Sequence, residues 1–281
     1  MEEAEMADRP VVVGVDGSDG SLNALDWGAA AADTMGVPLE VVHAYSPWID
    51  WALTVPPFDA ARYRDLVERT AAGWCEPFAD AGIACEAKVV EADAATALLD
   101  GARTSNAEFV ALGSHGRSNW SAHLLGSITA KVIHHASVPV VVVPAGASFD
   151  PGGEIVVGVD GADSSVRALQ WAVAHAAATS RPVRAVTVVP PQLWHEQPYF
   201  EGHGEIAGGL AALVRDLEGA AGEVLVGDPA GVLEAEADRA AMLVLGTRGH
   251  TSIGEIVFGS VSRHCATHCS RPVVIVPAGG E

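Results

Sequence analysis

The sequence has almost no lysine: Lys88 and Lys131 are the only two in 281 residues. Basic side chains number 16 against 36 acidic ones, a formal net charge of −20. Long-range repulsion therefore opposes a nucleic-acid backbone or an anionic membrane surface as partner. No apolar run approaches the ~20 residues needed to span a bilayer. The acidic opening stretch, Met1 to Pro10, lacks the basic and apolar segments of an export signal. Four cysteines do not make a disulfide framework in a chain of this size, and Cys75 and Cys85 have no recognisable partner spacing. The expectation is a soluble, acidic, cytoplasmic protein. No Gly-x4-Gly-Lys-Ser/Thr occurs, which excludes a P-loop NTPase, and Gly14-x-Asp16-Gly17 does not make a Gly-x-Gly-x-x-Gly dinucleotide fingerprint.

Apolar side chains make up 49% of the residues and charged ones 19%, a composition with ample core. The length suggests two domains of roughly 140 residues each. An internal repeat supports this. Val11-Val-Val-Gly-Val-Asp16-Gly17 returns 144 residues later as Ile155-Val-Val-Gly-Val-Asp160-Gly161. The same offset relates Ser21 to Ser165, Trp27 to Trp171 and Pro38 to Pro182. Near the end of each half the offset is 133: Leu112-Gly113-Ser-His-Gly116 becomes Leu245-Gly246-Thr-Arg-Gly249, and Gly126-Ser127 becomes Gly259-Ser260. The second half is thus shorter by 11 residues, lost mostly after its second strand. Turn-rich sequence joins the copies. The reading is an N-terminal acidic extension (1–8), a first domain (9–146), a linker (147–152) and a second domain (153–278).

Within each half, short β-branched runs alternate with helical segments. In the first half the strands are expected at Val11–Val15, Leu39–Ala44, Glu86–Val90, Phe109–Gly113 and Val140–Val143. The helices are expected at Ser21–Met35, Asp59–Ala81, Ala94–Ser105 and Ser127–Ala136. Strands that are apolar throughout imply a sheet buried on both faces, and strand–helix alternation implies parallel βαβ units. The fold class is therefore α/β: two tandem doubly wound domains, each with a five-stranded parallel sheet. Such domains bind ligands beyond the strand carboxyl ends, at the switch point of the strand order.

The informative spacing is Gly-x2-Gly-x9-Gly-Ser. It is carried by Gly113, Gly116, Gly126 and Ser127, and again by Gly246, Gly249, Gly259 and Ser260. In each copy the first glycine ends an apolar strand and the last opens a helix. Glycine allows positive φ and close approach to backbone amides. A helix N-terminus adds unpaired N–H groups and the positive end of a dipole. Together these can hold a phosphate chain without lysine; the alternative is a pair of tight turns with an ordinary serine cap. Asp16 and Asp160 close the first strands, at the crevice. They read either as contacts to a nucleotide or its metal, or as Asx-turns.

Taken together, Val-Gly-Val-Asp-Gly, the Trp-containing first helix, the glycine loops and the Pro-Val-x-Val-Val-Pro endings resemble the universal stress protein family in its tandem form, over essentially the whole chain. The resemblance implies a Rossmann-like fold of the adenine nucleotide α-hydrolase type and ATP in each half, with Mg²⁺ as an open addition. The adenine would lie against Gly14, Val15, Asp16 and Ala44 in one half, and Gly158, Val159, Asp160 and Val188 in the other. Gly113 and Gly246 would meet the ribose. Gly116, Arg117, Gly126, Ser127 and Ile128 would hold the phosphates, with Ser114, His115 and Thr129 also counted among the nucleotide-binding residues. Gly249, His250, Gly259, Ser260 and Val261 would do so in the second half, with Arg248 as a cation available to an anion and Thr247 and Ser262 also counted among the nucleotide-binding residues. The resemblance also implies that the closing strands, Pro139–Pro144 and Pro272–Pro277, pair with each other. Self-association of the whole chain stays open.

Other features are weaker. His264-Cys265 and His268-Cys269 form i,i+4 pairs, but zinc needs four converging ligands, so no metal site is expected. Trp48, Trp51, Pro56 and Pro57, and Pro190, Pro191, Trp194, Pro198 and Tyr199, mark long loops that read as lids or as loop packing. His115 and His123 are the candidate acid–base groups, with no counterparts in the second half. Three functions remain: a nucleotide-dependent regulator with one ATP per half, a slow ATPase or nucleotidyl transferase, and an interaction module with vestigial sites.

Overall fold

The computed structural model describes residues 9–46, 60–116, 124–191, 200–247 and 258–279. The expected lid residues Trp48, Trp51, Pro56, Pro57, Trp194, Pro198 and Tyr199 lie outside this set, as do Arg117, His123, Arg248, Gly249 and His250. The first half contains β1 (Val11–Gly14), α1 (Asp19–Met35), β2 (Leu39–Tyr45), α2 (Ala60–Asp80), β3 (Cys85–Glu91), α3 (Ala94–Thr104), β4 (Phe109–Gly113), α4 (Ser127–His135) and β5 (Val140–Val143). The second half repeats the order: β6 (Ile155–Gly158), α5 (Asp163–Thr179), β7 (Val183–Val189), α6 (Phe200–Val214), β8 (Ala220–Val226), α7 (Pro229–Ala237), β9 (Met242–Gly246), α8 (Ser260–His268) and β10 (Val273–Val276).

All ten strands join one sheet, in the order β3-β2-β1-β4-β5-β10-β9-β6-β7-β8. Pairing is parallel inside each half and antiparallel where β5 meets β10, with Val141 opposite Val274. Each closing strand, which would otherwise present open backbone groups, is covered by its own repeat. The outer edges, β3 and β8, carry the exposed Glu86, Glu91 and Glu223. Charges at an edge discourage further strand addition.

The all-apolar strand runs follow from burial on both faces. Val11, Val12 and Val13 are fully buried, with Val11 and Val13 in the core on one face and Val12 in the core on the other. Between them, β1 and β4 form the central pair, and strand order reverses there. The helix bounds have local causes. Ser18 accepts the Ser21 N–H at the start of α1, and Gly36 closes it at φ 66°. Asp93 and Asp228 cap α3 and α7 in the same way.

The repeat conserves one ion pair with its signs exchanged. Buried Glu40 on β2 receives the Lys88 ammonium at 2.7 Å. Its counterpart is Arg184 on β7, which reaches Glu154 at 2.9 Å, Glu223 at 2.8 Å and Glu236 at 2.7 Å. Lys88 faces Val42 in the ladder and Glu223 faces Val186, so the exchange is register for register.

The cysteine reading needs correction. Cys75, near the end of α2, and Cys85, at the start of β3, form a disulfide with Cα atoms 5.5 Å apart. The helix runs back along the strand, so a tight turn brings residues ten apart together. The cysteine count therefore carries no argument for a reducing compartment. Cys265 and Cys269 are free and buried. His264 stacks on His268 and meets Glu234 at 2.7 Å. Among the described residues no three His, Cys, Asp or Glu side chains group to hold a metal. No described helix is long and apolar enough to cross a membrane.

Where the halves meet, Trp27 packs on Phe109 and on Phe149 of the connecting segment, and Arg181 lies over the Phe149 ring at 4.8 Å. His175 on α5 stacks on Trp171 and meets Phe109 edge-on. It is 4% exposed, and neither ring nitrogen has a partner among the described residues. Burial, and then the positive charge of Arg181, lower its pKa from the ordinary 6.5 to about 4. The folded state thus requires neutral His175. Its contribution is intact above the ordinary histidine pKa and is lost as pH falls toward 4. We predict that His175→Phe removes this acid sensitivity. Urea unfolding at pH 7 and pH 4.5 should show a smaller loss of stability on acidification in the variant, by about 2 kcal/mol.

Candidate functional site

Each β1-type strand ends in a loop built by an aspartate. Asp16 Oδ1 accepts the Ser18 N–H at 2.9 Å and the Ser18 hydroxyl at 2.6 Å. Asp160 Oδ1 accepts the Ala162 N–H at 3.0 Å. Both are Asx-turns, and Gly17 and Gly161 take the positive φ (80° and 83°) that such loops need. Ser21 and Ser165 bind the aspartate N–H groups at 3.2 Å each. His43 Nδ1 lies 2.6 Å from the Val15 carbonyl, so that nitrogen carries the proton and fixes the backbone after β1. Trp74 packs edge-on against His43.

The glycines act through proximity. Gly113, Gly116, Gly126, Gly246 and Gly259 are absent from the residues with positive φ. A Cβ on Gly113 would lie 2.7 Å from the Gly20 carbonyl oxygen, and one on Gly246 would strike the backbone of Ser164. Their lack of a side chain seats the end of β4 or β9 against the start of α1 or α5. A Cβ on Gly116 would press on Asp16 Oδ2 at 2.9 Å. Gly126 has more room, with its nearest neighbour at 3.4 Å, and its φ of −57° suits any residue.

Both crossings then open into an uncapped helix. Gly126 and Gly259 are the N-cap residues of α4 and α8, and neither helix has a side-chain cap. The first-turn amides keep their hydrogen-bonding capacity for another acceptor. Two hydroxyls at the helix starts are directed to the main chain. Thr129 Oγ1 donates to the Gly113 carbonyl and Ser262 Oγ to the Gly246 carbonyl, at 2.9 Å each. They brace the crossing, since a hydroxyl has one proton to donate. Ser114 is buried, its N–H on the Val143 carbonyl and its Oγ 3.0 Å from His115 Nδ1.

These pieces enclose a cavity of about 310 Å³ in the first half, at the carboxyl ends of β1 and β4. Gly14, Val15, Asp16, Ala44, Gly113, His115, Gly116, Gly126, Ser127, Ile128 and Thr129 line it. Ser21, Val42, Ala94, Leu98 and Leu112 also line it and were not singled out from sequence. One end is apolar (Val42, Ala44, Leu98, Leu112); the other is glycine backbone and helix start. Its described lining contains no lysine or arginine. Lys131 is held by Asp93 at 2.9 Å. That contact, followed by the Thr96 amide, keeps the Asp93 carboxyl below its ordinary range. Among the described residues, His115 Nε2 is buried without a partner.

The second half has a cavity of about 130 Å³ in the same place. Gly158, Val159, Asp160, Val188, Gly246, Gly259, Val261 and Ser262 line it, joined by Ser164, Ser165, Val186, Pro229, Leu233 and Leu245. Thr247 is buried beside the crossing with an unpartnered Oγ1, and Ser260 faces a groove between α4 and α8. A third repeat offset, 135, relates Asp93-x4-Leu98 to Asp228-x4-Leu233. It is the signal that would have found the α3 and α7 walls.

The universal stress protein family model matches the chain twice, over residues 9–144 and 153–277. Universal stress protein Rv2623 of Mycobacterium tuberculosis is 28% identical over 289 residues, covering 94% of this chain and 95% of that protein. A universal stress protein of Mycolicibacterium smegmatis is 26% identical over 292 residues, covering 95% and 96%. The crystal structure of a universal stress protein from Archaeoglobus fulgidus superposes with a TM-score of 0.73 at 20% identity, covering 97% of this chain and 99% of that one, a likeness of fold. With the repeat, the crossings and the paired sheet, these matches place the chain in the universal stress protein family, as a tandem of two such domains.

Proposed function

We propose that the chain is a nucleotide-dependent regulatory protein that binds ATP, one molecule in each half. The observation that carries this is the two-ended crevice, present twice at the switch point of the strand order. An apolar wall suits a purine, and a glycine-lined helix start with no side-chain cap suits phosphates. His115 lines the first cavity and supports it, because its buried Nε2 has no partner among the described residues and a polar ligand would supply one. In this reading Gly116, Gly126, Ser127 and Ile128 hold phosphates in the first half, and Gly259, Ser260 and Val261 in the second. Arg117, Arg248, Gly249 and His250 join them from outside the described residues. Thr129 and Ser262 brace the crossings. Asp16 and Asp160 serve as turn formers at the crevice, where any Mg²⁺ would meet them. A protein whose ligand is ATP works where ATP is held, so a cytoplasmic location goes with this reading.

Two results test the proposal. Pure protein, denatured and chromatographed, should release near two ATP per chain, chemically unchanged. Release of ADP instead would favour the slow ATPase, and absence of nucleotide after incubation with ATP would favour the vestigial module. Gly126→Asp should reduce bound ATP to about one per chain, because it places a carboxylate at the phosphate end of a position with room for a side chain. Gly113→Ala is expected to lower the melting temperature instead, because its Cβ meets the backbone of α1. Unchanged stoichiometry in Gly126→Asp would count against the site.

A further inference from the structure

The two crevices differ in size, and their linings differ both at the crossing and at the apolar end. Across the described lining most positions keep the same residue in both halves. The apolar wall has Val42, Leu98 and Leu112 in one and Val186, Leu233 and Leu245 in the other. At the helix start the second half is the smaller in side chain, with Val261 for Ile128 and Ser262 for Thr129. Those changes alone would enlarge its cavity. Yet it measures about 130 Å³ against about 310 Å³. Three described exchanges run the other way: Ser164 lines the second cavity at the crossing where the first half has Gly20, and two more lie at the apolar end. At that end Val188 stands where the first half has Ala44, and Pro229 where it has Ala94. Each of these two adds two carbon atoms to the wall, and both sit on well-fixed backbone: Val188 in the β7 ladder opposite Leu225, Pro229 at the first position of α7.

We propose that Ala44 and Ala94 make the first half a permissive purine site, while Val188 and Pro229 make the second a selective one. The first half admits purine nucleotides enlarged on the base, and the second admits unmodified adenine. This rests on the reading of both crevices as ATP sites. Selectivity arises from exclusion, because a rigid, well-packed wall does not yield to added atoms. The gap per added group in an apolar pocket is on the order of tenfold or more.

The test is equilibrium dialysis of the whole chain with three probes: ATP, 1,N6-etheno-ATP and 8-bromo-ATP. The two analogues enlarge opposite edges of the purine, so one of them meets the wall whichever edge enters first. The expected result is two ATP per chain, with at least one analogue binding at one per chain, at least tenfold more tightly than at any second site. Ala44→Val should abolish that single equivalent, which assigns it to the first half. Val188→Ala/Pro229→Ala should raise it to two. Circular dichroism confirms that each variant is folded, and the wild-type measurement is decisive without them. If ATP binds at two per chain and both analogues bind equally in the two halves, or in neither, the size inference is overturned while the nucleotide reading stands. If no probe binds at all, both fall.

Discussion

The structure depends on a backbone-to-backbone contact that only glycine permits. At Gly113 the end of β4 rests on the first turn of α1, and at Gly246 the end of β9 rests on the first turn of α5. A methyl group at either position would force strand and helix apart. Because they are not apart, the Asx-turn after the first strand, the strand end and the next helix start converge at one point. The Thr129 and Ser262 hydroxyls tie that helix start back to the strand-end carbonyl. The crevice is a consequence of this closeness, and its polar surface is mostly main chain. A protein with two lysines can therefore present a phosphate-sized site.

The same economy shapes the whole molecule. Duplication gives two sheets with apolar closing strands, and joining β5 to β10 turns two liabilities into one continuous core. That junction is surrounded by aromatic packing in which a neutral, buried histidine takes part. The exchanged Glu40–Lys88 and Glu223–Arg184 pairs show that the ladder needs one acid and one base at these positions. Which strand supplies which is immaterial.

Much of this was legible in the sequence, for physical reasons. Runs such as Val11–Val13 announce burial on both faces, and Gly36 with Pro38 announces the end of α1. The repeat located both crossings to the residue. The packing role of Gly113 was not legible because proximity to Gly20 is a tertiary fact that no spacing encodes. The bracing by Thr129 and Ser262 was not legible because a hydroxyl's acceptor is invisible in one dimension. Ala94 and Leu98 were missed because α3 approaches the crevice from a distant strand. The Cys75–Cys85 pair escaped because its ten-residue separation joins a helix end to a strand start around a turn. Arg117 and Arg248 lie outside the described residues.

The central claim is that main-chain amides at two strand-to-helix crossings hold the ligand. Amide hydrogen exchange in the first turns of α4 and α8, with and without saturating ATP, tests it most directly. The account predicts that Ser127, Ile128 and Thr129, and Ser260, Val261 and Ser262, become strongly protected. Exchange at these six amides that stays unchanged while ATP is bound would contradict it.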